Sequence, residues 1–315
     1  MNVVVTGAGG YIGGQIVIRL LEAGHTVLAI DRRKKTVPWS DHANFSSEAC
    51  DFVSDRCLRA LLKFQPGAIV HCAGTSLVGP SLANPDEYYD NNTVKTKQLL
   101  DFVRKAMPHC RVIFSSSAAV YGEPIMNPCH EVDPCEPISP YGESKRMIEL
   151  MLSSYRQAYK LDYVAFRYFN ACGADPAGQH GQEPGATHII ARVLESLRDD
   201  REFVLNGVDY DTPDGTCVRD YVHVDDIAQA HVMALDSGTV PAGIYNLGSH
   251  SGISNQEIIQ AAERVTGRKL KVRSSDRRQG DPAMLTASAE KFDKLVAWRQ
   301  YNLDDIITHA WQWYV

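Results

Sequence analysis

The sequence predicts an α/β protein with a Rossmann-type, doubly wound parallel sheet and a smaller C-terminal α/β lobe. Short β-rich runs alternate with helical patterns through the first half, which is typical of a parallel sheet covered by helices on both faces. A glycine-rich turn joins the first of these runs to the first helix. After residue 170 the elements become shorter and mixed, so we expect a Rossmann domain over 1–170 and a second lobe over 171–315, with 222–249 packing back onto the sheet.

Each element of the first half follows from its local pattern. The run NVVVT at 2–6 is apolar and rich in valine, which predicts a buried strand. The segment 11–24 has apolar residues at helical spacing and ends at a glycine, which predicts a helix. The other predicted strands are 26–30, 48–52 (the weakest), 68–74, 111–117 and 162–170. The other predicted helices are 57–64, 87–107 and 140–159.

The second half begins with a polar segment, 172–190, that is rich in glycine and proline. Structureless loops of this length are uncommon unless they are functional, so we expect a functional loop here. The short elements that follow are 188–198, 202–207, 225–235, 243–249, 256–267 and 270–273.

Composition and charge narrow the class of protein. The chain has 315 residues, 44% of them hydrophobic, and its net charge of −6 argues against nucleic acid or anionic membranes as partners. The N-terminus lacks a signal-peptide pattern, and no apolar run approaches the roughly 20 residues of a membrane span. The eight cysteines are irregularly spaced without a C-x-x-C pair, so we expect no metal site, no disulfide framework and a cytoplasmic location.

The glycine-rich turn is TGAGGYIG, in which Gly7, Gly10 and Gly13 follow a G-x-x-G-x-x-G pattern. Such glycines permit a tight turn and close approach to a pyrophosphate, which then lies against the N–H groups of the helix. The alternative is a merely flexible turn, but the position between the first strand and the first helix favours dinucleotide binding. Asp31 ends the second strand, where a carboxylate accepts hydrogen bonds from ribose hydroxyls and repels a 2′-phosphate. This favours NAD, although the adjacent Arg32 and Arg33 keep NADP as an alternative.

A second motif, SPYGESK, starts a predicted helix at Ser139, a good N-cap. Tyr141 and Lys145 then lie on one helix face, where in isolation they are more simply a core tyrosine and a surface charge. Ser115, Ser116 and Ser117 end a strand, however, and the carboxyl ends of parallel strands face the ligand crevice. A phenol that acts as a base near neutrality needs its pKa lowered by roughly 3 units, about 4 kcal/mol, and a nearby ammonium acts in that direction.

Several motifs together resemble the extended short-chain dehydrogenase/reductase superfamily and, more narrowly, the UDP-galactose 4-epimerase family. They extend over nearly the whole chain and are TGAGGYIG (6–13), HCAG (71–74), YYDNN (88–92), SSSAAVYG (115–122), YGESK (141–145), RYFNACGADPAG (167–178), DGTCVRDYVHVDD (214–226), YNLGS (245–249) and RRQGDPA (277–283). The resemblance implies an isomerase that binds NAD in the first domain and a nucleotide sugar in the second lobe. The implied reaction is the C4 epimerisation of a UDP-hexose through a transient 4-keto sugar.

The resemblance also implies a role for individual residues. Ser117, Tyr141 and Lys145 match the catalytic set, with Tyr141 as the base, Lys145 on the nicotinamide ribose and Ser117 on the 4-oxygen. The implied contacts to NAD are Gly7, Gly10, Tyr11, Ile12, Gly13, Asp31, Asp51, Phe52, Cys72, Ala73, Gly74, Asn91, Ser115, Tyr141, Lys145 and Tyr168. The implied contacts to the UDP-sugar are Ser117, Tyr141, Asn170, His188, Leu205, Arg219, Tyr221, Arg278, Asp281 and Leu285.

Three positions depart from the family pattern. Ser76 stands where many members have a lysine near the pyrophosphate, and Ala119 replaces a common threonine near the substrate. Leu285 stands where a tyrosine restricts members to unmodified hexoses. We therefore expect UDP-glucose and UDP-galactose as substrates and hypothesise that the N-acetylated sugars UDP-GlcNAc and UDP-GalNAc are also accepted.

Other functions remain as alternatives. A 4-epimerase of UDP-glucuronate or of a UDP-pentose is the nearest. A nucleotide-sugar 4,6-dehydratase needs an acid pair after the strand-end serine, where this chain has Ala118 and Ala119. A related reductase and a non-catalytic NAD-binding regulator complete the set. The helices at 87–107 and 140–159 are those through which relatives pair, so the resemblance also implies a homodimer.

Overall fold

The computed structural model describes residues 1–33, 37–278 and 282–315. The strands are β1 (Asn2–Thr6), β2 (Thr26–Asp31), β3 (Phe45–Ala49), β4 (Ala68–His71), β5 (Arg111–Ser117), β6 (Tyr163–Tyr168), β7 (Asn170–Cys172), β8 (Phe203–Asn206), β9 (Val218–His223), β10 (Gly243–Leu247), β11 (Gly252–Ser254), β12 (Val272–Ser275) and β13 (Met284–Leu285). The α-helices are α1 (Tyr11–Glu22), α2 (Asp55–Phe64), α3 (Val78–Ala83), α4 (Pro85–Tyr88), α5 (Lys95–Ala106), α6 (Pro140–Tyr159), α7 (Ile189–Arg198), α8 (Val224–Met233), α9 (Asn255–Thr266), α10 (Glu290–Asp293) and α11 (Leu303–Tyr314). A π-helix (Tyr89–Val94) joins α4 to α5, and a 3₁₀ turn (Ala118–Val120) follows β5.

The main sheet confirms the predicted Rossmann-type fold. Across the described residues it contains seven strands in the order β10-β6-β5-β4-β1-β2-β3, and every neighbouring pair is parallel. Its central strands are buried runs such as VVV in β1, as expected for a sheet covered on both faces. The carboxyl ends of β1, β4, β5 and β6 therefore meet along one edge.

The second half of the chain contributes to both parts of the molecule. β10 extends the main sheet beside β6, and Ile227 and Ala228 of α8 share a hydrophobic cluster with Ile16 of α1. Another cluster joins α7, α9 and α11 through residues such as Leu194, Ile258 and Ile307. Beside it lie a small sheet of β7, β9, β11 and β13 and the parallel pair β8–β12.

The structure differs from the sequence-based boundaries in the third strand and in the helix expected over 87–107. The third strand is Phe45–Ala49 rather than 48–52. The Cys50 N–H makes the last hydrogen bond to β2, donating to the Asp31 carbonyl, and the chain then turns. The helix expected over 87–107 is interrupted by the π-helix, which buries Asn91 and Asn92. Such π segments often occur at functional sites because the wider turn redirects side chains. Strand β9 and helix α11 were not anticipated.

No helix in the described ranges combines the length and the apolar character that crossing a membrane requires.

Candidate functional site

The carboxyl ends of the central strands open onto a cavity of about 1200 Å³, which we call the main cleft. Of the residues singled out in the sequence, it brings together Gly7, Gly10, Tyr11, Ile12, Gly13, Asp31, Phe52, Cys72, Ala73, Gly74, Asn91, Ser115, Ser117, Tyr141, Lys145, Tyr168, Asn170, His188 and Arg278. A smaller cavity of about 180 Å³, the side compartment, adjoins it and is lined by Leu205, Arg219 and Tyr221. Both cavities share Asn170, Thr187, His188 and Arg278, so they are continuous.

The glycine turn at the floor of the main cleft has no room for a side chain at Gly7 or Gly13. A Cβ on Gly7 would lie 2.7 Å from the Ala73 nitrogen, and one on Gly13 would lie 2.2 Å from the Gly7 oxygen. Gly7 also has a φ of +69°, which strains any other residue. The turn closes through the Gly10 N–H, which donates to the Gly7 carbonyl over 3.0 Å.

This turn fits a dinucleotide. Helix α1 begins at Tyr11 without a side-chain cap, so its first N–H groups and the positive end of its dipole are directed at the cleft, where a phosphate is favoured. Asp31 lies beside the turn and accepts hydrogen bonds from the N–H groups of Gly9 and Arg33, each over 3.0 Å. These two bonds hold its carboxylate at the end of β2, where ribose hydroxyls bind in this architecture.

Two neighbouring residues expected near the adenine have different surroundings. Phe52 lines the main cleft, whereas Asp51 is not part of its lining. The Lys95 ammonium donates to Asp51 over 2.9 Å and to the Asn91 side-chain oxygen over 3.4 Å. Lys95 thus ties the loop after β3 to the π-helix, and Asp51 supports this wall of the cleft.

The motif at 139–145 forms the predicted helix start. The Ser139 hydroxyl accepts a hydrogen bond from the Gly142 N–H over 3.2 Å, and α6 runs from Pro140. Lys145 is only 5% exposed, and its ammonium donates to the Ser115 carbonyl over 2.8 Å. The ammonium also lies 5.8 Å from the centre of the Tyr141 ring. Ser117, Tyr141 and Lys145 all line the main cleft, so the sequence motif and the strand end meet there.

Burial controls the pKa values of the two titratable groups in this set. It lowers the pKa of Lys145 from 10.5 to about 8. It raises the pKa of Tyr141 above 10, and this outweighs a hydrogen bond with Ser117 that acts in the opposite direction. The pKa of Tyr141 is therefore raised in the ligand-free chain rather than lowered, contrary to the effect expected from Lys145. A cationic group brought into the cleft acts in the direction that the base requires.

A buried relay of hydrogen bonds supports the floor of the cleft, and its last member, His231, was not anticipated. The Nδ1–H of His231 donates to the Ile227 carbonyl over 2.8 Å, which leaves Nε2 to accept from the Tyr168 hydroxyl over 2.7 Å. Burial lowers the pKa of His231 to about 4, so the ring is neutral. Tyr168 lies 2.9 Å from the Ser115 hydroxyl, which in turn lies 3.1 Å from the Cys72 sulfur.

The side compartment is basic. Arg219 and Arg278 were expected there, and Arg192 of α7 joins them. With the Asn206 amide oriented so that its oxygen faces Arg278, this oxygen accepts from Nε over 2.9 Å and from Nη2 over 3.1 Å. Guanidinium groups at such a site suit a diphosphate because their planar N–H groups match phosphate oxygens. Residues that line this compartment and were not assigned to the site from the sequence are Thr187, Ile189, Arg192, Phe203, Val204, Asn206, Cys217 and Asn255.

The remaining positions singled out in the sequence differ in their relation to the two cavities. Leu285 of β13 pairs with Arg219 of β9 and packs in a hydrophobic cluster with Phe169, which lines the main cleft. Leu285 itself is absent from the linings of both cavities. Ser76 lines the main cleft. Asp281, which the resemblance places on the uridine ribose, lies outside the described residues.

Comparison with known proteins decides the family. The model of the NAD dependent epimerase/dehydratase family matches residues 3–248. The UDP-glucose 4-epimerase of Halalkalibacterium halodurans is 40% identical over 327 aligned positions, which cover 100% of this chain and 96% of the relative. The chain belongs to the NAD dependent epimerase/dehydratase family.

Solved structures of epimerase/dehydratase proteins share the fold. The UDP-glucose 4-epimerase from Stenotrophomonas maltophila, with bound NAD and formylated UDP-arabinopyranose, superimposes with a TM-score of 0.93 at 31% identity, covering 99% of this chain and 97% of that one. The UDP-Glc/GlcNAc 4-epimerase from Campylobacter jejuni superimposes with a TM-score of 0.86 at 35% identity, covering 99% and 98%.

Two features of this epimerase/dehydratase site have no local sequence signal. The spacing of residues around His231 predicts only that it lies on the buried face of a helix. Helix α7 carries two arginines, Arg192 and Arg198, and the sequence does not show which of them faces a cavity. Their placement depends on contacts between segments far apart in the chain, such as the bond from Tyr168 to His231. Only the folded chain reveals that Arg192 lines the side compartment and that His231 bonds to Tyr168 beneath the main cleft.

Proposed function

We propose that this protein is an NAD-dependent 4-epimerase of UDP-sugars that interconverts UDP-glucose and UDP-galactose. The observation that carries the proposal is the convergence of Ser117, Tyr141 and Lys145 in a cleft that continues into an arginine-lined compartment. The first cavity suits a dinucleotide beside a sugar, and the second suits a nucleoside diphosphate. The similarity over the full chain to the H. halodurans UDP-glucose 4-epimerase supports the same activity.

The glycine turn and Asp31 would hold NAD. The first N–H groups of α1 would bind its pyrophosphate, and Asp31 would accept hydrogen bonds from the adenosine ribose. When bound, NAD supplies reversible hydride transfer at carbon 4 of the sugar. Lys145 is buried and its ammonium is held by a hydrogen bond to the Ser115 carbonyl. From this position it would orient the nicotinamide ribose.

Tyr141 would move the proton. Its phenolate oxygen would take the proton from the sugar 4-hydroxyl and become the phenol, while the Ser117 hydroxyl donates to the 4-oxygen and stabilises the carbonyl that forms. After the 4-keto sugar turns over in the cleft, Tyr141 would return the proton to the 4-oxygen. There is no net oxidation, so the cofactor is expected to remain bound through turnover.

The substrate's nucleoside diphosphate would extend into the side compartment. Arg219 and Arg278 would bind the two phosphates, and Asn170 and His188 lie at the junction where the diphosphate passes between the two cavities. Leu205 and Tyr221 would line the nucleoside pocket, and Asp281 would bind the uridine ribose. This assignment corresponds to a cofactor domain over 1–170, joined by 222–249, and a substrate lobe over 171–315.

The helices at 87–107 and 140–159 are proposed to form a homodimer interface. Val94 is 47% exposed on the π-helix, and Met147 and Leu150 are 42% and 52% exposed on α6. Exposed apolar side chains on neighbouring elements, as on α6 and the π-helix, are typical of an interface. Sedimentation at two concentrations tests this, because a monomer at both would contradict it.

All eight cysteines are free, which supports a cytoplasmic location.

The sugar range is proposed to include UDP-GlcNAc and UDP-GalNAc. Leu285 packs against the cluster that contains Phe169, which lines the main cleft, and a leucine occupies less space behind this wall than a tyrosine would. The similarity to the C. jejuni UDP-Glc/GlcNAc 4-epimerase supports this range. Turnover of UDP-glucose without detectable turnover of UDP-GlcNAc would contradict it, and Leu285→Tyr is expected to reduce only the second reaction.

The decisive experiment is incubation of the purified protein with a panel of UDP-sugars and chromatographic separation of the 4-epimers. We expect UDP-galactose to yield UDP-glucose. UDP-pentoses and UDP-glucuronate belong in the panel because the S. maltophila relative was crystallised with a UDP-pentose derivative. Conversion of these sugars alone would favour the alternative substrate class, and conversion of none would contradict the proposal.

A further inference from the structure

A chain of hydrogen bonds runs from the floor of the main cleft to His231 behind it. Cys72, Ser115 and Tyr168 line the cleft, whereas His231 lies on α8 and is 0% exposed. The proton transfer proposed for Tyr141 does not use this histidine. Its link to three residues of the cleft floor therefore needs another explanation.

The tautomer of His231 fixes the direction of the bonds in this chain. A carbonyl only accepts, so the Nδ1 that lies 2.8 Å from the Ile227 oxygen carries the proton of the ring. Because burial lowers the pKa of His231 to about 4, Nε2 has no proton and accepts from the Tyr168 hydroxyl. Tyr168 has no second proton, so across 2.9 Å it accepts from Ser115. The single proton of Ser115 is then in use, which leaves the Cys72 thiol, 3.1 Å away, as the donor to Ser115.

This direction gives the floor of the cleft a polarity. The S–H of Cys72 and the O–H groups of Ser115 and Tyr168 all point along the chain towards His231. The lone pairs of the sulfur and of the two oxygens are therefore what the floor presents to the cleft. Successive hydrogen bonds polarise one another in a buried setting, so the effect of the chain is larger than that of one hydroxyl. Such a floor favours a cationic ligand over a neutral ligand of the same shape.

The floor lies where the nicotinamide ring of NAD is proposed to bind. Ser115 and Ser117 are two positions apart on β5, so their side chains lie on one face of the sheet, while Ser116 donates to Glu149 on the other face. Ser117 is assigned to the sugar 4-oxygen, and hydride passes between the ring and the adjoining carbon 4. Lys145, assigned to the nicotinamide ribose, donates to the Ser115 carbonyl over 2.8 Å. The ring is thus placed beside Ser115 by the groups on either side of it.

We propose that His231 is a positioning residue that orients the hydroxyl groups of the cleft floor so that they favour the oxidised, cationic nicotinamide over the reduced, neutral one. Turnover starts from the oxidised cofactor, so this bias keeps the enzyme ready between turnovers. The inference rests on the proposed function, because it takes the nicotinamide end of NAD to lie beside Ser117 and Lys145.

The test measures which form of the cofactor the protein retains. The protein is incubated to equilibrium with equal concentrations of NAD⁺ and NADH in excess, separated from free nucleotide by rapid gel filtration, and analysed for both bound forms by chromatography. His231→Leu removes the acceptor, so the Tyr168 hydroxyl turns towards Ser115 and the chain reverses. The bound ratio of NAD⁺ to NADH is expected to fall by about fivefold or more, the worth of one hydrogen bond.

Two further variants separate hydrogen-bond direction from packing. His231→Gln supplies an amide oxygen that can accept from Tyr168, and it is expected to keep the ratio of the unmodified protein. Tyr168→Phe interrupts the chain one position earlier and is expected to lower the ratio, which also provides a measurement if the leucine variant is unstable. The double variant of His231→Leu and Tyr168→Phe should show no further fall, because both changes break the same chain.

His223→Leu is the matched control. His223 is also a buried histidine whose pKa is lowered by burial, to about 3, but it lines neither cavity, so its loss should leave the ratio unchanged. An equal fall in His223→Leu would overturn the inference, because general loosening would then be the cause. A ratio in His231→Gln as low as that in His231→Leu would overturn it as well, since packing would then be the cause.

An unchanged ratio in folded His231→Leu would also overturn the inference. Turnover of the UDP-sugar panel by the unmodified protein is measured separately. Normal turnover together with an unchanged ratio in His231→Leu contradicts only the role of His231, whereas absence of turnover contradicts the proposed function.

Discussion

At the main cleft the proposed catalytic Lys145 is buried and is held by a strand end, whereas at the side compartment Arg278 is exposed. Ser117 and Tyr141 at the first site and Arg192 and Arg219 at the second are half-buried. Lys145 is 5% exposed and donates to a main-chain carbonyl, and Ser115 is 7% exposed within a relay. Arg278, in contrast, is exposed and is held by the amide of Asn206. The comparison suggests that one end depends on fixed geometry and the other on charge.

The two ends also differ in the ion pairs that support them. Behind the cleft, the carboxylate of Glu149 receives two hydrogen bonds from Arg167, over 2.9 and 2.8 Å, and one from Ser116 over 2.7 Å. Glu149 and Arg167 are 0% and 1% exposed. Near the side compartment, Arg277 pairs with Asp209 over 2.7 Å at the open surface. Buried pairs are costly to break and exposed pairs contribute little, so the cleft is expected to be the more sensitive end.

The largest expected effect separates chemistry from binding. Tyr141→Phe should reduce turnover by at least about a hundredfold, because it removes the group that moves the proton. UDP affinity should remain unchanged, since Tyr141 lines only the main cleft. Initial rates and calorimetry check both points. Tyr159→Phe, at the exposed end of the same helix, is the control, and normal turnover in a folded Tyr141→Phe protein would refute the assignment.

The next effect compares the ion pairs. Glu149→Gln leaves the Arg167 guanidinium buried without a counter-charge and should lower the free energy of unfolding by about 3–5 kcal/mol. Asp209→Asn breaks the exposed pair with Arg277 and should change it little. Urea unfolding of both variants measures the difference. Similar losses in the two variants would show that burial does not distinguish the two ends.

A third effect follows from the lowered pKa of Lys145 in the cofactor-free protein. Between pH 8 and 10.5 the unfolded chain keeps a proton on this lysine that the folded chain releases, so stability should rise with pH over this window. The shift from 10.5 to about 8 corresponds to about 3 kcal/mol at most. Lys145→Met should lack this rise, whereas Lys269→Met, at an 88% exposed side chain, should retain it. Parallel pH profiles for the unmodified protein and Lys145→Met would contradict the expectation.

The smallest effect separates backbone strain from crowding. Gly7 and Gly178 have similar φ values, +69° and +72°, but a Cβ on Gly178 would meet nothing within 4 Å. Gly178→Ala should lower the free energy of unfolding by about 1–2 kcal/mol, the cost of a left-handed backbone. Gly7→Ala should lower it further and should also reduce NAD retention, because its Cβ would meet Ala73. Thermal melts and the bound NAD content test this, and equal behaviour of the two variants would argue against a crowded turn.

Local sequence patterns were sufficient to predict those helices and strands whose first and last residues favour a helix or strand end. Helix α6 begins and ends as expected because Ser139 caps it, Pro140 opens it and Lys160 ends it in a left-handed conformation. The strands β1 and β5 also match, since each contains a short apolar run, VVV in β1 and VIF in β5. Strand β9 was missed because its sequence VRDYVH places charges in a buried strand. Asp220 is tolerated there because Ser249 and Ala287 donate hydrogen bonds to its carboxylate.

The sequence by itself determined the parallel sheet, the glycine turn and the positions of Ser117, Tyr141 and Lys145, because period, capping and strand ends are local properties of the chain. Only the tertiary structure decided the direction of the Tyr141 pKa, the relay that ends at His231 and the presence of Arg192 beside Phe203. The physical reason is that desolvation and side-chain contacts arise between distant segments. Tyr168 and His231, for example, are 63 positions apart and meet only after the sheet has formed.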